Sequence, residues 1–96
     1  MLTVRTIGAF DTWFAGVRDR TAKARIQARI DRLQLGNFGQ HRELTGGVGE
    51  LKIDFGPGYR VYYSRRGAVV VVLLCGGNKS TQNADIKRAI TLAKQL

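Results

Sequence analysis

Residues 50–75 read ELKIDFGPGYRVYYSRRGAVVVVLLC. In the first part Leu51, Ile53 and Phe55 alternate with Glu50, Lys52 and Asp54, the period-2 pattern of a strand with one covered face. Tyr59, Val61 and Tyr63 then alternate with Arg60, Tyr62 and Ser64. The run AVVVVLLC, residues 68–75, is apolar at every position, as expected of a central strand covered on both faces. Gly56-Pro57-Gly58 and Arg66-Gly67 are hairpin-sized connections. The alternation puts Arg60 opposite Val61 and Lys52 on the polar face of the preceding strand, so the two cations can share one side of the sheet. An unpaired buried arginine is costly, so that side is expected to open to solvent or ligand.

On the N-terminal side, Leu2 to Ile7 alternates loosely and predicts a short strand ended by Gly8. Phe10, Trp13, Phe14 and Val17 fall at i, i+3, i+4 and i+7, one face of a short helix with Asp11 in its first turn. RDRTAKARIQARIDRLQLG, residues 18–36, gives the clearest helix. Its apolar stripe is Ala22, Ile26, Ile30 and Leu33, and Gly36 suits the C′ position. Residues 37–49 carry the loop signals GNFGQ and TGGVG and are read as irregular. The tail TQNADIKRAITLAKQL predicts another amphipathic helix, with Ile86, Ala89, Ile90, Ala93 and Leu96 on its stripe. The predicted order is β-α-α-β-β-β-α in one α+β domain over residues 1–96.

Charge is the informative part of the composition. Sixteen Lys and Arg against seven Asp and Glu leave +9, with a pI near 10.7. This points to a polyanionic partner such as nucleic acid, the ribosome, a membrane surface or an acidic protein. No apolar run reaches the ~20 residues of a membrane span. The N-terminus lacks a secretory pattern. The lone Cys75 can form no internal disulfide and is expected as a small buried hydrophobe. Together these favour a cytoplasmic protein. One histidine, one cysteine and scattered carboxylates suggest no metal site, and no cofactor is expected.

ELKIDFGPGYRVYYSRRGAVVVVLLCGGNKSTQNADIKRA, preceded by ARIDRLQLGNFGQHREL, resembles the RelE/ParE toxin superfamily of type II toxin–antitoxin modules, and within it the HigB-like branch. FGPGYRVYY and LLCGGNKSTQ carry most of the likeness. The resemblance implies a twisted, mostly antiparallel sheet with a two-helix hairpin on one face and a C-terminal helix. It implies a ribosome-dependent mRNA endonuclease that inhibits translation. A ParE-like gyrase inhibitor and a non-catalytic basic RNA-binding module are the alternatives. The implied partners are a cognate antitoxin with a DNA-binding domain, mRNA and the ribosome, with no membrane.

Cleavage of this kind is attack of a ribose 2′-hydroxyl on the adjacent phosphate, which needs a base, positive charge and an acid, and no metal. By the resemblance Arg60 lies in the catalytic groove, where a guanidinium fork suits a phosphate. Lys52, on the strand where the resemblance implies lysines, is either a base or an exposed edge-blunting lysine. Lys79 is implied at the groove mouth, with Gly76 and Gly77 admitting a ligand to the backbone. Asp54 stands where a second basic residue is implied, and is either a base or a loss to the site. Tyr62, on Arg60's face, is a candidate acid or base-stacking group. His41 is read as surface. Arg18, Arg20, Lys23, Arg25, Arg29 and Arg32, with Arg65 and Arg66, form an electrostatic footprint for RNA or the ribosome, or a solvated face.

Overall fold

The computed structural model describes residues 1–96. Its elements run β1 (Thr3–Thr6), α1 (Gly8–Ala15), α2 (Arg20–Gln34), β2 (His41–Thr45), β3 (Val48–Ile53), β4 (Tyr59–Arg66), β5 (Val70–Asn78) and α3 (Gln82–Lys94), with a 3₁₀ turn at Lys79–Thr81. The fold is α+β. One five-stranded sheet has the order β1-β5-β4-β3-β2. β1 pairs in parallel with β5 and every other pairing is antiparallel.

Local chemistry sets the helix ends. The Asp19 carboxylate accepts from the backbone N–H of Thr21 and Ala22 at 2.9 and 3.1 Å and caps α2. At the other end Gly36 takes φ 89°, Gly36 N–H donates to Leu33 O, and Asn37 N–H donates to Arg32 O. That is a Schellman ending, which glycine accommodates because it has no Cβ.

The sheet separates two cores. On one face Phe10, Ile26, Ile30 and Leu33 of α1 and α2 pack on Leu51, Val61, Tyr63, Val71 and Leu73. On the other, Ala89 and Ala93 of α3 pack on Val48, Tyr62, Val72, Leu74 and Cys75. This double cover accounts for the unbroken apolar run of β5. Between Tyr62 and Tyr63 the β4–β5 register shifts, with partners Cys75 and Leu73, so Leu74 is an extra residue. Leu74 and Cys75 consequently both belong to the α3 side.

The segment 37–49, read as irregular, contains a strand and the start of another. His41–Thr45 pairs with Val48–Ile53 through a Gly46-Gly47 turn whose φ values are 56° and 80°. Positive φ at both central residues is what a tight hairpin turn of this hand requires. The last strand also differs from expectation: Ala68 and Val69 are exposed, and β5 runs on through Gly76 and Gly77 to Asn78.

Candidate functional site

Helix α3 roofs only part of its sheet face. The small side chains Ala89 and Ala93 let it sit close over Tyr62 and Leu74, and at its first turn Gln82 Nε2 donates to Glu50 Oε2 at 3.0 Å. Beyond Gln82 the sheet is uncovered. A groove of about 410 Å³ opens there, bordered by Gln40, His41, Arg42, Glu50, Lys52, Arg60 and Gln82, with no hydrophobic residue among them. Register explains the grouping. Lys52 lies opposite Arg60, and Arg42 opposite Glu50, so side chains from three neighbouring strands point to one face.

Arg60 is 5% exposed. Its Nη1 donates to Gly58 O at 2.6 Å, while Nε has no partner. The single ion pair in the protein joins Arg42 Nε to Glu50 Oε1 at 2.9 Å, so no carboxylate stands at salt-bridge distance from Arg60. A buried cation without a counter-ion is unfavourable, and a buried donor without an acceptor adds to the cost. A bound anion in the groove would relieve both. Gly58 makes the seat possible: it has φ 78°, and a Cβ there would stand 2.7 Å from Arg60 Nη1. The face that was expected to be open is thus open as a groove, with its arginine sunk into the wall.

Of the other residues singled out above, Lys52 is half-buried and lines the groove. Lys79 does not line it. It is exposed in the 3₁₀ turn, its N–H donating to Pro57 O and its Cβ lying against Gly58, beside the turn that seats Arg60. Asp54 lies past the end of β3, exposed, and borders a second cavity next to α2. Tyr62 corrects the expectation: it is fully buried beneath α3 and can neither stack on a base nor reach a substrate. Burial first, then the Glu50 carboxylate, drives its phenol well above the ordinary range, which holds the proton on. Gly76 and Gly77 are also corrected. A Cβ at Gly76 would strike the Trp13 ring and one at Gly77 the Asp85 carboxylate, so these glycines serve internal packing.

The arginine footprint divides. Arg29 is not a free cation of a solvated face. Its guanidinium donates to the backbone carbonyls of Lys52, Phe38 and Gln40 and ties residues 38–40 to the sheet. Arg66 donates to Ala93 O near the C-terminal end of α3. The Arg65 guanidinium carbon lies over the Phe38 ring, 4.1 Å from its centroid, and that of Arg25 over Phe55 at 4.6 Å. Arg32 is exposed in the last turn of α2.

Sequence reasoning missed Glu50, Arg42 and Gln82 as a bonded set. Glu50 is 3% exposed with one oxygen held by Arg42 and the other by Gln82. The available signal was the alternation in HREL against GEL, once the Gly46-Gly47 turn is recognised. His41 borders the groove, yet its ring belongs to the other face. It pairs with Leu51, lies 5.1 Å from the Phe38 ring and has Nδ1 2.8 Å from Gly39 O. No three His, Cys, Asp or Glu side chains converge as a metal-binding group. No helix is long and apolar enough to cross a membrane.

Residues 13–96 match the family described as phage-derived protein Gp49-like, a family of domain of unknown function 891. The chain belongs to the Gp49-like family. An uncharacterized protein of Haemophilus influenzae is 50% identical over 95 residues, covering 99% of this chain and 96% of the relative. No solved structure matches. The Gp49-like family is different from the RelE/ParE superfamily, and this overturns the RelE/ParE and HigB-like resemblance. The stretches that carried that likeness answer local structural needs here. Gly58 accommodates the Arg60 guanidinium, and Gly76 and Gly77 lie beneath Trp13 and Asp85.

Proposed function

We propose that this Gp49-like protein is the toxin of a type II toxin–antitoxin pair and that it inhibits translation by cleaving mRNA at the ribosome. The observation that carries the reading is Arg60: a buried guanidinium with no counter-ion and an unpartnered Nε, opening on a groove with a wholly polar lining. A net charge of +9 and the Gp49-like membership support it.

In this mechanism the ribose 2′-oxygen bonds to the adjacent phosphorus as the bond from phosphorus to the 5′-oxygen breaks. The products are a 2′,3′-cyclic phosphate and a 5′-hydroxyl. Arg60 holds a phosphate oxygen and stabilises the charge that builds on the pentacoordinate phosphorus. Lys52, opposite Arg60 across β3 and β4, is the proton carrier, because both oxygens of Glu50 are engaged by Arg42 and Gln82. The antitoxin brings an acidic or amphipathic segment over the groove, where charge complementarity favours rapid association.

Induced expression of the soluble protein, with transcript 5′ ends mapped and plasmid supercoiling followed in parallel, tests the reading. The expected result is growth arrest with new 5′-hydroxyl ends inside coding regions, relieved by co-expression of a small adjacent partner gene. Arrest with intact transcripts and altered supercoiling would overturn it in favour of gyrase inhibition. Normal growth with abundant folded protein would overturn the toxin role altogether.

A further inference from the structure

Beside the polar groove lies a second, smaller cavity of about 260 Å³ between α2 and the end of β3. Gln40 and Lys52 border both, so the two adjoin. The second cavity differs in kind. Arg25 and Arg32 stand over it with Phe55. Phe55 packs on the α1–α2 core and carries the Arg25 guanidinium 4.6 Å from its ring centroid. The ring carries that cation at its face, while Arg25 itself remains exposed. A guanidinium laid on an aromatic ring presents its free planar surface outward, and such surfaces stack unpaired nucleobases.

We infer that the Arg25–Phe55 pair is a nucleobase-stacking subsite for single-stranded RNA, receiving the base of a nucleotide adjoining the one whose phosphate sits at Arg60. Lys52 and Arg32 flank the passage and contact the intervening backbone. The combination of a cationic track with a stacking plane is the general requirement for binding single strands, and it selects against duplex, whose bases are not free to stack on protein. The inference rests on the ribonuclease reading for the occupant of the neighbouring groove, but its test does not depend on cleavage.

The test is an NMR titration of the intact protein with a 2′-O-methyl RNA hexamer, which lacks the attacking hydroxyl, and with an abasic hexamer of equal charge. Arg25→Lys keeps the charge and removes the plane. It is expected to weaken the base-bearing hexamer about tenfold and to leave the abasic one unchanged. Phe55→Leu, which keeps an apolar side chain on the core, should reproduce the loss. Equal weakening of both hexamers, no weakening of either, or no binding of the hexamer by the wild type would overturn the subsite. So would an acidic peptide that binds with the same Arg25→Lys loss, which would mark a protein-docking patch. If the hexamers behave as expected while the wild type leaves mRNA on programmed ribosomes uncut, the ribonuclease reading falls and the subsite stands. If Arg60→Ala abolishes cleavage while Arg25→Lys changes nothing, the subsite alone falls.

Discussion

Arg29 and Arg60 are two sequestered arginines served by opposite faces of one sheet. Arg29 reaches from α2 to three backbone carbonyls, those of Lys52, Phe38 and Gln40, and is a fastener. Burial and the nearby Arg32 push its guanidinium below the usual range, yet its donors have acceptors. Arg60 is the more deeply buried residue and bonds one carbonyl, with Nε left over. The difference separates structure from function more sharply than exposure does. A satisfied arginine holds the fold, whereas an unsatisfied one at the wall of a groove keeps a donor free for something that is not part of the chain.

Removing each arginine should therefore damage different properties. Arg60→Ala is expected to lower mRNA cleavage on programmed ribosomes by about 10²- to 10³-fold, the scale for one preorganised donor. Arg60→Lys should recover only part, since the fork is lost. Arg60→Met, which keeps the stem and deletes the unpaired charge, should melt no lower than wild type. A marked drop in its melting temperature would make Arg60 a structural residue like Arg29 and dissolve the contrast.

Arg29→Met should show the reverse pattern: about 2 kcal/mol less stable in urea unfolding, because carbonyls at residues 38, 40 and 52 lose their donor. Cleavage per folded molecule should change little. Gly58→Ala sharpens the comparison, because it strikes the seat of Arg60 while leaving the guanidinium in place. The strained φ of 78° should cost about 1 kcal/mol. The displaced Nη1 should reduce cleavage below that of Gly56→Ala, where the added methyl meets only the Tyr59 ring at 3.7 Å. Equal activity of the two variants would show that the Gly58 seat does not position Arg60.

The smallest effect concerns Cys75, buried beneath α3. Burial pushes its thiol from 9.0 up to about 11. The folded state binds the proton more tightly than the unfolded state, so this contribution to stability is intact below pH 9 and lost progressively between about pH 9 and 11. Unfolding midpoints measured across that range should fall less steeply in Cys75→Ala than in wild type. Identical slopes would mean that the thiol is not sequestered.

Much of this was legible in residues 50–75. Period-2 alternation placed Lys52 and Arg60 on one face, and β4 and β5 followed from the hairpin turns and the apolar run. The pattern also put Tyr62 on Arg60's face. What it could not show was where α3 lands: Ala89 and Ala93 cover Tyr62, and the roof ends before Arg60. β2 escaped because an edge strand of HRELT is mostly polar and a bulge at Leu44 interrupts its alternation. The Arg42–Glu50–Gln82 set escaped for a related reason. It joins an edge strand, an inner strand and a helix, and no local period connects residues so far apart. The arginines of α2 looked alike in sequence, and only the loop at 38–40 made Arg29 different.

The parallel pairing of β1 with β5 has a consequence in time. Thr3 lies beside Val70, and Thr6 beside Leu73, so the chain's opening strand waits unpaired until its last strand has been made. Gln82, which pins Glu50, comes later still, and Ala93, part of the roof over Tyr62, later again. A chain still under synthesis has Arg60 but no finished groove around it. The groove lining is complete only once Gln82 has been added, after both partners of the parallel pair, β1 and β5, exist.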